Sequence, residues 1–106
     1  MLCLMTATNS MRLLRGSTLL ATISDLQPDM PFFEGRFIAE PAFEQVRPLF
    51  EDEWRILNER PFEEWEQAWN LVRALGLSLD PGDGSPSRGP EEYLLHVKGD
   101  RARLRY

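Results

Sequence analysis

The alternation of apolar and polar positions divides the chain into a strand-like first third, a helix-like middle and a strand-like end. From Met11 to Ile23, "MRLLRGSTLLATI" surrounds a Gly16-Ser17 step with apolar and β-branched residues. The step predicts a hairpin with a two-residue turn, glycine supplying the positive φ that such turns require. Leu19, Ala21 and Ile23 alternate onto one face of the second arm. The same register sets Leu13 opposite Leu20 on the other face, so either both faces are covered or the pairing is shifted. "FFEGRFI" alternates again and predicts a third strand. Phe33, Gly35 and Phe37 lie on one side, with Phe32, Glu34, Arg36 and Ile38 on the other. Between these strands, Ser24 and Asp25 are read as the end of the second strand, and Pro28 and Pro31 as stiffeners of a turn. Gly35 is read as leaving room for a large ring from Trp54, Trp65 or Trp69.

From Pro41 the period changes to three and four. Phe43, Val46, Phe50, Trp54 and Leu57 trace one helical face. Pro48 interrupts it, so the helix either kinks there or begins there after a short turn. The second option suits proline's preference for the first helical turn and puts Glu51, Asp52 and Glu53 near the positive end of the dipole. A second helix is predicted from Pro61, with Glu63 and Glu64 in its first turn and Gly76 as its stop. Phe62, Trp65, Trp69, Val72 and Leu75 form its apolar stripe. The short link through Asn58 to Arg60 predicts an antiparallel helical hairpin.

"LSL" after Gly76 is a candidate short strand, and residues 80–90, rich in proline and glycine, predict a mobile loop. The final segment "YLLHVKGDRARLRY" predicts a hairpin turning at Gly99-Asp100. In that register Val97 faces Ala102, Leu95 faces Leu104 and Tyr93 faces Tyr106 on an apolar side. His96 faces Arg103 and Lys98 faces Arg101 on a polar side. The order βββ-αα-(β)-ββ therefore predicts an α+β fold in two layers, an antiparallel sheet of four to six strands with the helical hairpin on one face. Residues 1–10 are read as a flexible extension and 11–106 as one domain.

The 106 residues carry 12 Lys and Arg against 17 Asp and Glu, a net charge of -5. An acidic chain has little general affinity for nucleic acid or anionic membranes. The acidic excess is concentrated in 40–66, where nine acidic residues face three arginines and leave -6. These are read as solvated helix faces, and the set includes Glu53. The single cysteine, Cys3, excludes an intramolecular disulfide and a cysteine-rich zinc site, which fits a cytoplasmic location. Residues 1–9 are too short for a membrane span and lack the basic start of a secretory leader.

No phosphate-binding glycine loop, nucleophile elbow or calcium loop is present, and no catalytic residue, metal ligand or cofactor is assigned. The three tryptophans lie on apolar stripes and are read as core. His96, the only histidine, is read as a surface residue of its strand. With Lys98, Arg101, Arg103 and Arg105 it forms a basic ribbon suited to phosphate or carboxylate partners. Asp29, Glu34 and Arg36 complete the candidate contact residues. The leading expectation is a non-enzymatic domain that binds a protein partner, or a second copy of itself, through a sheet edge or charged face. The alternative is a ligand or catalytic pocket between residues 24–37 and the sheet, with Asp25, Asp29, Glu34, Arg36 and His96 as its polar groups. A third is nucleic-acid binding through the terminal hairpin, which lacks stacking aromatics on its basic face.

Overall fold

Alternating segments at both ends of the chain meet in one six-stranded sheet. A computed structural model describes residues 10–29, 31–81 and 86–106, so residues 1–9 of the expected extension and 82–85 of the expected loop lie outside the described residues. The strands are β1 (Met11–Arg15), β2 (Thr18–Asp29), β3 (Phe32–Ala39), β4 (Ser78–Asp80), β5 (Leu94–Lys98) and β6 (Arg101–Arg105). Their order in the sheet is β4-β1-β2-β3-β6-β5, with every pairing antiparallel. A 3₁₀ turn (Pro41–Gln45) leads into α1 (Arg47–Glu59), and α2 (Phe62–Arg73) packs beside it. The fold is the expected α+β one.

The terminal hairpin keeps its predicted register, with Val97 opposite Ala102, Leu95 opposite Leu104 and His96 opposite Arg103. The first hairpin differs. Leu14 pairs with Leu19 but Leu13 pairs with Ala21, so Leu20 is an inserted bulge residue and does not face Leu13. A one-residue slip moves every later side chain to the other face, and the bulge corrects it. Met11, Leu13, Ala21 and Ile23 thereby share one buried face.

The second strand is also longer than the prolines suggest. β2 runs through Ser24 and Asp25 to Asp29, with Pro28 opposite Phe33, so Pro28 belongs to the strand and not to a turn. Among the described residues β1 pairs with β2 only as far as Ile23, so Pro28 lies in the part of β2 paired with β3 alone. A second bulge lies here. Ser24 pairs with Arg36 and Gln27 with Glu34, so Asp25 and Leu26 together oppose Gly35, and Asp25 takes a φ of 54°. A Cβ on Gly35 would lie 2.6 Å from the Ser24 carbonyl oxygen and 3.0 Å from Leu26 Cδ2. The space at Gly35 is filled by β2 itself, not by a tryptophan.

Pro48 sits in the first turn of α1, where its missing donor leaves no bond unmade, and the preceding 3₁₀ turn carries Phe43. The Phe37 ring of β3 meets Phe43 at 4.8 Å, and Phe43 meets Phe50 of α1 at 5.5 Å. Each of these buried rings contributes roughly 1.5–3 kcal/mol. Trp69 and Val72 of α2 join the same core, but Phe62 at the start of α2 is 64% exposed, outside the stripe assigned to it. Among the described residues no helix is long and apolar enough to cross a membrane.

Candidate functional site

The centre of the site is a carboxylate placed where an apolar side chain was due. Glu53 follows the buried Phe50 by three residues, so the helix turns it inward, and it is fully buried, while Leu57, assigned to the same stripe, is exposed. Glu53 is therefore not part of a solvated face. α1 packs on β5, and this strand is covered on both sides. Leu95 and Val97 point into the main core, while His96 on the opposite side is only 5% exposed. His96 has the predicted register but is not a surface residue.

Glu53, Trp65 and His96 come from α1, α2 and β5 and share one atom. Glu53 Oε2 accepts the Trp65 indole N–H at 2.6 Å and lies 2.7 Å from His96 Nδ1. Glu53 Oε1 has no hydrogen-bond partner among the described residues. A buried ion or ionisable pair loses its hydration on folding, and a well-packed apolar pair is often as stable or more so. Three rings surround the imidazole: Phe32 at 5.7 Å, and Trp54 and Trp65 each at 6.4 Å. Trp54 and Trp65 are half-buried, so of the three tryptophans only Trp69 lies fully in the core.

His96 forms part of the wall of a cavity of about 180 Å³, together with Glu34, Trp54, Lys98, Arg101 and Arg103. The second ring nitrogen, Nε2, makes no hydrogen bond to the described residues, and His96 lines this cavity. The wall carries three permanent cations and one carboxylate. Arg101 pairs with Glu34 at 3.2 Å, and Arg103 pairs with Asp29 at 3.3 Å while lying over the Phe32 ring at 4.9 Å. Lys98 makes no ion pair among the described residues, and its ammonium lies 5.9 Å from the Trp54 ring centre. The cavity therefore combines aromatic carbon with a positive rim, and Lys98 is the cation most open to a new anion.

Of the expected contact residues, Glu34, His96, Lys98, Arg101 and Arg103 converge here, and Asp29 joins through Arg103. Arg36 instead approaches Asp25 at 4.0 Å in the open, so Asp25 and Arg36 fall outside the pocket. Arg105 lies along a wider cleft with Tyr106 and Trp69. Sequence reasoning passed over Glu53 and the site role of Trp54 and Trp65. The signal was a carboxylate at i+3 from Phe50 on an apolar stripe. No serine, threonine or cysteine hydrogen-bonds His96 among the described residues, and none of their His, Cys, Asp and Glu side chains form a group of three placed to hold a metal ion. No protein-family model, curated protein or solved structure matches this chain.

Proposed function

We propose that the protein binds a small anionic molecule in the cavity beside His96. One observation carries this reading: a cavity of about 180 Å³ lined by Trp54, by the cations Lys98, Arg101 and Arg103 against the single carboxylate Glu34, and by a histidine anchored by a buried carboxylate. Apolar pockets with a few convergent polar groups are the usual form of small-molecule sites. The buried Glu53–His96 pair supports the same reading, since the fold gains little stability from it and an apolar pair would serve packing as well.

Calorimetric titration with acetate, succinate, inorganic phosphate and benzoate tests the reading. At least one is expected to bind with saturation, more weakly at high salt, and Lys98→Glu should abolish it by putting a carboxylate in place of the cation that has no carboxylate partner among the described residues. If none binds at millimolar concentration, the reading is wrong. The alternative is an interaction domain, favoured by the exposed Phe62 and Leu71 of α2. A dimer seen by sedimentation and abolished by Phe62→Ser, with no anion bound, would put that alternative in its place.

The β4 edge of the sheet lends the interaction reading less. β4 has three residues, and the N–H and C=O of its central Leu79 are already bonded to Arg88.

A further inference from the structure

We infer that the ligand is a one-ring acid carrying a hydroxyl or other hydrogen-bond donor, an inference that rests on the anion-binding reading above. Size sets the first limit. A dry cavity of roughly 150 Å³ accommodates benzene, so about 180 Å³ takes one ring with a short substituent. The lining sets the second. Trp54 and the His96 imidazole offer flat faces, Phe32 lies beside the imidazole, and an acid group placed at the rim meets the Lys98 ammonium.

The hydrogen-bond polarity of His96 sets the third. Glu53 Oε2 accepts from Trp65, whose indole can only donate, and the same oxygen faces His96 Nδ1. With Glu53 as the carboxylate, it has no hydrogen to offer, and the ring proton then resides on Nδ1 and is donated to Glu53. In the neutral imidazole the other nitrogen is then an acceptor. When the ring is neutral, Nε2 is a lone-pair acceptor beside the cavity that His96 lines, and a ligand that buries it in that state must bring a donor. An unsubstituted acid leaves that acceptor unpaired, while a hydroxy acid satisfies it. Glu53 acts here as a positioning residue: it touches no ligand and sets which nitrogen carries the proton.

Because the chain has one histidine, its imidazole ¹⁵N signals need no assignment by mutation. In the ¹⁵N-labelled full chain, at a pH where the ring is neutral, Nδ1 should appear protonated and Nε2 bare. The Nε2 signal should move on titration with a hydroxybenzoate. A protonated Nε2 at that pH overturns the inference.

By calorimetry, at least one of 2-, 3- and 4-hydroxybenzoate should bind about fivefold to tenfold more tightly than benzoate. That preference should vanish in the double variant Glu53→Gln, His96→Phe, which keeps an acceptor for Trp65 and leaves no carboxylate buried without a partner. Equal binding of benzoate and all hydroxybenzoates sinks this inference and leaves anion binding standing. Binding of acetate or phosphate with no aromatic acid does the same. Failure of every anion removes both.

Discussion

Glu53 shows how one side chain can hold three elements in place. Its single oxygen Oε2 collects Trp65 from α2 and His96 from β5 onto α1. Removing it strands two polar groups away from water and opens a void. Glu53→Ala is accordingly expected to lower unfolding free energy by about 3–5 kcal/mol, and Glu53→Gln by clearly less, since the amide oxygen still accepts the Trp65 N–H. Urea unfolding of both variants checks this, and equal losses would mean that the cavity, not the hydrogen bonds, sets the cost. Gly35 makes the opposite point, a residue defined by what it lacks. With the Ser24 carbonyl oxygen 2.6 Å from where its Cβ would stand, even Gly35→Ala forces the β2 backbone to move. A loss of about 1–3 kcal/mol is expected by thermal unfolding. A variant as stable as the native chain would show that β2 shifts freely at its bulge.

Among the elements, β2 carries the fold's main departures from regularity. β2 uses two bulges, one keeping Met11, Leu13, Ala21 and Ile23 on the core face and one bringing Asp25 and Leu26 against Gly35. β5 is entered through Tyr93, whose hydroxyl donates to the Leu77 carbonyl oxygen at 2.9 Å and so ties the strand to the exit of α2. Burial pushes this phenol from 10.0 up to about 12. The neutral form is therefore favoured by folding. Its contribution is complete below about pH 10, where the unfolded phenol is still protonated, and is lost as pH rises toward 12, by about 1.4 kcal/mol per unit. Stability measured against a Tyr93→Phe variant should show the native advantage shrinking from pH 10 to 12. A gap that stays constant over that range would mean the ring is open to water.

Across the whole molecule, charge separation is weaker than composition implies. The basic β5–β6 ribbon is partly neutralised from within the sheet, by Glu34 on Arg101 and Asp29 on Arg103. Such exposed pairs are worth about 0–1 kcal/mol each, so they place the arginines without holding them firmly. Lys98 lacks a carboxylate partner among the described residues, which is why one lysine at the pocket rim decides the anion test. The radius of gyration of 13.6 Å is close to the roughly 13 Å of a compact 100-residue domain, so helices and sheet share one core.

What the chain determined by itself was whatever depends on neighbours in sequence. The Gly99-Asp100 turn, the alternation in β5 and β6, the helix start at Pro48 and the α+β class all follow from local geometry and period. The Leu20 bulge, the passage of β2 through Pro28 and the reason for Gly35 did not, because each is a property of a pairing between two strands. The site belongs to the same second kind. Glu53 and His96 stand 43 residues apart, and in sequence each resembles an ordinary solvated residue. Only the packing of α1 and α2 over β5 removes water from both and leaves His96 lining a pocket. Burial depends on what covers a side chain, and that is decided when distant elements meet.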